Sequence, residues 1–305
     1  MTQIVIGTER GLFQLSPQEP LPLGPFAEHE ITAVARDRAR WWVLVEGRSL
    51  WRSGADGTWE EITSVAMDGI AATCLGTSPV GLLVGTESAH LLRLDGATLV
   101  RVDSFEDVAG REAWYTPWGD PPDVRSISTS VDGAMYVNVH VGGVVRSTDG
   151  GRSWTPTLDV EADVHQVLAH PSRPALVLAA AAVGLVVSRD GGESWEIDAE
   201  GLHATYARAV TVAGDAAIVS VSTGPGGRRA ALYRRPLAGA AGLTRCGPGL
   251  PEWFRGNIDT ACVASVGSTV AFGSPDGCVY LSTDAGERWE RVARGLPAIA
   301  AVTAA

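Results

Sequence analysis

One short phrase occurs four times along this chain, and it constrains the fold more than any other feature. The phrase has the form S-x-D-x-G-x-x-W and stands between two apolar runs. Its copies occupy residues 147–154, 188–195, 282–289 and, in shortened form, 53–59. In such a turn the Asp accepts backbone N–H groups, the Gly takes a positive φ and the Trp packs beneath the turn. Repetition of this hairpin turn predicts an array of small sheets.

The segments between these turns follow one pattern of four apolar runs separated by turns. The units that they form begin near Ile31, Ile70, Asp123, Asp163, Ala207 and Ile258. A spacing of about forty residues is typical of four-stranded propeller blades. The pattern therefore predicts six complete blades.

The two ends of the chain supply one further blade. The runs Gln3–Gly7, Leu12–Ser16 and a short one near Pro25 resemble second, third and fourth strands, and Ala298–Thr303 resembles a first strand. Pairing of the ends would bury sheet edges that would otherwise be exposed. We therefore predict an all-β, seven-bladed β-propeller of four-stranded antiparallel blades, formed by one domain over 1–305. Six blades are the alternative.

With these turns and this spacing, the chain resembles the BNR or Asp-box repeat propellers. That group includes sialidases, sortilin-type receptor domains, xyloglucanases and a photosystem II assembly factor. The resemblance covers nearly the whole chain but rests on a structural phrase. It implies that the Asp boxes lie on the face away from any active site, and it says little about chemistry.

Charge and composition exclude several classes of partner. The net charge is −11 and no Lys/Arg run occurs, which argues against nucleic acid or anionic lipid as the main partner. No stretch is long and apolar enough to span a bilayer, and no basic leader precedes the first strand, so we expect a cytoplasmic protein. Gly224-Pro225-Gly226-Gly227 neither follows the right strand nor opens a helix, so no nucleotide cofactor is expected.

The four cysteines lie far apart and lack C-x-x-C spacing. They are Cys74, Cys246, Cys262 and Cys278. Because two of them fall in apolar strand-like runs, we expect buried free thiols and neither a disulfide nor a structural zinc site.

Counting strands from the Asp boxes assigns each turn to one face of the propeller. Among the six histidines, only His170 falls on the Asp-box face. The other five map to the opposite face, and they are His29, His90, His140, His165 and His203. This distribution favours a functional site on the face opposite the Asp boxes.

The first strands of three consecutive blades carry basic groups at equivalent positions. Alignment of these strands matches Arg125, His165 and Arg208, and other blades have small residues there, namely Thr32, Ala72 and Thr260. Because strand side chains alternate, equivalent positions should share one direction relative to the central channel. The alignment predicts a one-sided basic patch.

Three histidines from neighbouring blades are candidate metal ligands. His140, His165 and His203 could hold a divalent transition metal with open positions for substrate or water. Two alternatives stand beside this one: a metal-free site that uses the histidines on substrate, and histidines that only satisfy loop backbone. No local motif such as H-E-x-x-H supports the metal.

Long loops on the same face supply aromatic side chains. The segment 105–122 carries Trp114 and Trp118, and a later loop carries Trp253. Aromatic rings in long loops near polar groups suit a cleft that stacks on a ring or a sugar. The alternative is that these rings only hold the loops against the propeller.

These observations favour an enzyme that acts on a small anionic substrate at the channel mouth. Arg125 and Arg208 would hold the substrate with Trp114, Trp118 and Trp253 around it, and His203 and Tyr206 are the candidate catalytic groups. The first alternative is a non-catalytic propeller that binds a ligand or a protein. A sialidase-type glycosidase is a weaker alternative, because only fragments of the arginine and tyrosine set are present.

Overall fold

The computed structural model describes residues 2–17, 19–37, 40–64, 69–159, 162–239 and 241–305. It contains seven sheets of four antiparallel strands; six sheets hold consecutive strands, and the seventh joins the last strand to the first three. The predicted seven-bladed β-propeller is therefore confirmed.

The blades are numbered from the one that joins the chain ends. Blade 1 consists of β28 (Ile299–Ala304), β1 (Ile4–Thr8), β2 (Gly11–Gln14) and β3 (Leu21–Pro22). Blade 2 consists of β4 (Ile31–Asp37), β5 (Arg40–Val45), β6 (Ser49–Ser53) and β7 (Trp59–Ser64). Blade 3 consists of β8 (Ala72–Ser78), β9 (Gly81–Thr86), β10 (Leu91–Asp95) and β11 (Thr98–Arg101).

The remaining four blades follow the same order. Blade 4 consists of β12 (Val124–Thr129), β13 (Met135–Val139), β14 (Gly143–Ser147) and β15 (Thr155–Leu158). Blade 5 consists of β16 (Val164–Ala169), β17 (Val177–Ala181), β18 (Gly184–Ser188) and β19 (Glu196–Asp198). Blade 6 consists of β20 (Tyr206–Ala213), β21 (Ala216–Ser222), β22 (Ala231–Pro236) and β23 (Thr244–Arg245). Blade 7 consists of β24 (Val263–Val266), β25 (Thr269–Gly273), β26 (Val279–Ser282) and β27 (Glu290–Ala293).

Helical structure within the described ranges is confined to short turns. These are α1 (Asp103–Glu106) and two 3₁₀ turns, Glu87–Ala89 and Arg111–Ala113. In the part of the chain that the structure describes, no helix has the length and apolar character needed to cross a membrane.

The chain ends close the ring as predicted. β28 pairs antiparallel with β1, with Ile4 opposite Ala304 and Ile6 opposite Val302. The Thr303 hydroxyl donates a hydrogen bond of 3.0 Å to the carbonyl of Val34 in blade 2. The last strand of the chain thus completes blade 1 and contacts the next blade.

Strand boundaries differ most from prediction in blade 7. Its first strand begins at Val263 and not near Ile258. A turn precedes it, in which the N–H of Cys262 donates to the carbonyl of Asp259 and Ala261 has a φ of 63°. A left-handed residue cannot continue a strand, so pairing starts beyond it.

The repeated turns lie where strand counting predicts, between the third and fourth strands of their blades. Asp149 Oδ1 accepts the N–H groups of Arg152 and Ser153, each at 3.0 Å, and Trp154 is buried. We call the face with these turns the lower face. The upper face carries the turns between second and third strands and the connections between blades.

Adjacent blades pack closely where a strand lacks a side chain. A Cβ added to Gly7 in blade 1 would lie 2.7 Å from Ile31 Cγ2 in blade 2. Ile31 is fully buried and branched at Cβ, so it has little freedom to move aside. This glycine allows the close approach of the two blades.

The four cysteines are free and buried, as predicted. Burial raises the pKa of the thiols of Cys74, Cys246 and Cys262 to about 12. These thiols stay protonated at neutral pH and are poor nucleophiles.

Candidate functional site

The first strands of the blades share one irregularity at the upper face. In five of them the pairing register shifts by one residue near the start of the strand. The residues left unpaired are Thr32, Thr73, Arg125, His165 and Arg208. A β-bulge turns a side chain away from its regular direction. The equivalence of Arg125, His165 and Arg208 is confirmed, but the equivalent position in blade 3 is Thr73 and not Ala72.

A cavity of about 470 Å³ opens at the upper end of the channel. Its lining includes Glu9, Asp123, Arg125, Arg208 and Asp259. We call this cavity the upper mouth. The bulges therefore bring both predicted arginines to one opening, together with three carboxylates.

The two arginines of the upper mouth differ in how they are paired. Arg208 Nε donates to Asp259 Oδ1 at 2.5 Å, and its Nη1 lies 3.4 Å from the hydroxyl of Tyr206. Arg125 Nη1 is buried, and the structure gives it no hydrogen-bond partner among the described residues. Burial lowers the pKa of Arg125, and the positive charge of Arg208 lowers it further.

Asp163 lies between two of the predicted histidines. His140 Nε2 is 3.4 Å from Asp163 Oδ1, and His165 Nε2 is 3.4 Å from Asp163 Oδ2. Burial alone would raise the pKa of Asp163, but its contacts with the two imidazoles outweigh burial and hold that pKa well below its usual range. Asp163 is therefore the anion that faces both His140 and His165, at distances longer than a hydrogen bond of good geometry.

The protonation of His165 follows from its second ring nitrogen. Nδ1 lies 2.6 Å from the carbonyl of Ala207, which can only accept, so Nδ1 carries a proton. Nε2 is buried and faces the Asp163 carboxylate at 3.4 Å, without the geometry of a hydrogen bond. Burial lowers the pKa of His165, and the nearby Asp163 carboxylate opposes that effect. This pair can hold and release a proton.

The turn that carries His140 is strained. Val141 has a φ of 36° and is buried, and a β-branched residue rarely adopts that conformation. The N–H of His140 donates to the carbonyl of Asp123 at 2.9 Å. Backbone strain of this kind is concentrated at functional sites. The strain thus coincides with a histidine of the candidate site.

Two tryptophans of the long upper-face loop have different surroundings. Trp114 is 8% exposed and packs against Phe105 at a centroid distance of 5.8 Å. Trp118 is 62% exposed, and its ring lies 4.8 Å from the ring of His140. Trp114 holds the loop against the propeller, while Trp118 presents a ring beside the site.

The structure places Tyr206 beside His165 and Arg208, and His203 in a different group. The ring of Tyr206 lies 4.7 Å from that of His165. His203 Nδ1 lies 2.7 Å from the Tyr233 hydroxyl, and its ring lies 4.8 Å from that of Trp253. The contacts of His203 are thus separate from those of His140 and His165.

Trp253 stands at the upper rim among cations. The guanidinium carbon of Arg245 lies 4.0 Å from its ring centroid, and that of Arg229 lies 4.4 Å away. Cation–π attraction holds these groups together. The ring is therefore already occupied by protein groups, which leaves less of it free for a ligand.

Three carboxylates of the site were absent from the sequence prediction. Asp123 and Asp163 each stand directly before the first strand of a blade, in the repeated pair Asp-Val. Asp259 is followed by Thr260 and does not belong to such a pair. The repeated Asp-Val pair could have identified Asp123 and Asp163 from the sequence, but the pairing of Asp259 with Arg208 depends on contact between two blades.

The predicted metal site is not tested by the geometry. Within the described ranges, no group of three or more His, Cys, Asp or Glu side chains is placed to hold a metal ion. The metal at His140, His165 and His203 stays a prediction.

Comparison with known proteins identifies the fold. No family model matches this chain, and no curated protein matches it. Many solved structures resemble it. The WD40 repeats of RRP9 align at 17% identity with a TM-score of 0.64, over 90% of this chain and 83% of that one.

Two further structures broaden the comparison. The GH74 xyloglucanase from Xanthomonas campestris aligns at 16% identity and a TM-score of 0.59, over 95% of this chain and 46% of that one. The extracellular domain of the one-component system BT4673 from B. thetaiotaomicron aligns at 14% identity and a TM-score of 0.60, over 93% and 36%. At such identities the likeness shows a β-propeller alone. The Asp-box family stays a resemblance.

Proposed function

We propose that the upper mouth binds a small ligand through a carboxylate and that Arg125 is the anchor. The observation that carries this proposal is the buried Nη1 of Arg125, for which the described residues supply no acceptor. A buried donor without a partner is costly, and a guanidinium pairs with a carboxylate in a planar, two-bonded geometry. A carboxylate at the upper mouth would supply the missing acceptor.

Arg208 has a supporting role in this proposal. Its guanidinium already binds Asp259, so its charge is largely balanced by the protein. Its positive field nevertheless favours an anion beside Arg125. The ligand carboxylate would bind Arg125 directly, and the positive charge of Arg208 would attract it without a direct hydrogen bond.

Isothermal titration with a panel of small carboxylates tests the anchor. We expect Arg125→Gln to weaken binding at least tenfold, because the replacement keeps much of the side-chain volume but removes the charge. Arg48→Gln is the control, since Arg48 is an exposed arginine in an upper-face turn of blade 2 and should leave affinity unchanged. Equal affinity of wild type and Arg125→Gln, or no binding by any carboxylate, would contradict the proposal.

Acid–base catalysis at this site is a second candidate function. Burial raises the pKa of Asp123, whereas the imidazole contacts of Asp163 lower its pKa. Two carboxylates whose pKa values are shifted in opposite directions suit the roles of a general acid and a general base. In this version Asp163 and His165 move the proton, and Tyr206 lies within reach of both His165 and Arg208.

A screen of carboxylate-bearing esters and amides between pH 6 and 8 separates an enzyme from a binding protein. If the site is catalytic, we expect turnover by the wild type and a loss of at least 100-fold in Asp163→Asn, with binding retained. Binding without turnover would favour the non-catalytic alternative.

The divalent metal is a separate proposal with its own measurement. We expect near-stoichiometric metal in tag-free protein if His140, His165 and His203 bind one, and a loss of that metal in His165→Ala. A metal content that His165→Ala leaves unchanged would contradict this assignment.

A further inference from the structure

The charges at the upper mouth do not suit a simple anion. Its lining contains three carboxylates, from Glu9, Asp123 and Asp259, and only two guanidiniums, from Arg125 and Arg208. Asp259 and Arg208 balance each other at 2.5 Å. One cation and two carboxylates are then left facing the cavity.

Asp123 is the carboxylate that most needs a cation. It is half-buried, and among the described residues it forms no ion pair, although the charge of Arg125 acts on it. Burial raises its pKa; the positive charge of Arg125 lowers it and the nearby Glu87 raises it, so burial outweighs the attraction to Arg125. Its backbone carbonyl is already engaged by the N–H of His140, which holds this segment in place. The side chain is thus a fixed acceptor at the cavity wall.

The unpaired groups of the upper mouth carry opposite charges. Arg125 offers a buried donor without an acceptor, and Asp123 offers a carboxylate that attracts Arg125 but forms no ion pair among the described residues. Both line one cavity, so one small molecule can reach both. A ligand with only negative charge would satisfy Arg125 but would be repelled by Asp123 and Glu9.

We propose that the ligand is a small zwitterion of the α-amino acid class. Its carboxylate binds Arg125, and its ammonium group binds Asp123, with Glu9 on the rim of the same cavity. This inference rests on the proposed carboxylate site and narrows it to one chemical class. Recognition of both charged ends would reject plain carboxylic acids and plain amines.

Calorimetric titration with matched ligand pairs tests the inference. The probes are glycine, leucine and phenylalanine, each compared with its deaminated acid: acetate, 4-methylpentanoate and 3-phenylpropanoate. We expect at least one amino acid to bind the wild type ten times more tightly than its deaminated acid. In Asp123→Asn we expect that preference to fall to within about threefold, because the amino acid loses the partner of its ammonium group while the deaminated acid loses a repelling charge and binds at least as tightly as before.

Control variants assign the effect to the cavity. Glu196→Gln removes an exposed carboxylate from the fourth strand of blade 5, away from the cavity lining, and should leave the preference unchanged. If Asp123→Asn does not fold by circular dichroism, Glu9→Gln is the second variant, because Glu9 lies in an exposed turn, and it should reduce the preference at least twofold.

The outcomes distinguish this inference from the proposed function. Equal binding of an amino acid and its deaminated acid, both lost in Arg125→Gln, would overturn the zwitterion and leave the carboxylate site standing. Binding that Arg125→Gln does not affect would overturn the carboxylate site itself. Absence of binding by every probe would overturn the amino-acid class.

Discussion

At the scale of single residues, the Asp side chains of the lower-face turns accept hydrogen bonds from backbone N–H groups that have no backbone acceptor in the turn. Asp190 Oδ1 accepts the N–H of Ser194 at 2.9 Å, and Oδ2 accepts its hydroxyl. These hydrogen bonds, first that of the Ser194 hydroxyl and then that of its N–H, lower the pKa of Asp190 from 3.8 to about 2. The charged form therefore stabilises the folded turn.

We expect this stabilisation to depend on pH in a defined window. Because the folded pKa is below the unfolded one, the contribution is complete above about pH 4 and is lost as the pH falls toward 2. The thermal midpoints of wild type and Asp190→Asn should differ at pH 5 and converge near pH 2. A difference that stayed constant from pH 5 to pH 2 would contradict this account. Because the carboxylate is exposed, added salt should reduce the effect.

At the scale of elements, the distance between blades depends on which residues lack a side chain. Gly7 lies against Ile31 of the next blade, and Ile31 is fully buried. The same contact joins β1 to β4 and so connects the blade that closes the ring to its neighbour. Small residues here have a packing role and no conformational one, because the φ of Gly7 is not positive.

Gly7→Ala should therefore destabilise the protein. The added methyl group would have to displace Ile31, and overpacking of this kind costs about 1–3 kcal/mol. Chemical denaturation measures the change in the free energy of unfolding. Gly226→Ala is the control, since no atom lies within 4 Å of the Cβ position there, and it should change stability by less than about 0.5 kcal/mol. Equal effects of the two substitutions would contradict the packing argument.

At the scale of the whole molecule, stability depends on closure of the ring by β28. This strand pairs with β1 and buries Ile299, Ala301 and Val302. Without it, β1 would become an exposed sheet edge, and exposed edges promote association with other chains. The upper mouth also depends on closure, because Ile299 and Ala300 line it.

We expect deletion of residues 299–305 to abolish cooperative thermal unfolding or to produce oligomers. A synthetic peptide of this segment, added in trans, should restore a monomer with a single transition, measured by size exclusion and calorimetry. A peptide with Val302→Asp is the control and should fail, because it would bury a charge. A truncated chain that unfolds like the full-length protein would show that β28 is dispensable.

The sequence by itself determined the architecture and the face of the propeller on which the candidate site lies. The repeated turns, their spacing and the apolar runs at both ends predicted seven blades and their closure. Strand counting predicted the face with most histidines, and alignment predicted the equivalence of Arg125, His165 and Arg208. These features depend on local turn chemistry and strand period, which neighbouring residues encode.

Only the tertiary structure decided which side chains meet. The bulges direct Arg125 and Arg208 into the upper mouth, and contacts between blades pair Asp163 with His140 and Asp259 with Arg208. A contact within blade 6 places His203 beside Tyr233. Pairing of this kind joins residues distant in sequence, so no local pattern records it. The charges at the upper mouth come from several blades, which meet only in the closed ring. The inferred ligand therefore depends on the tertiary structure.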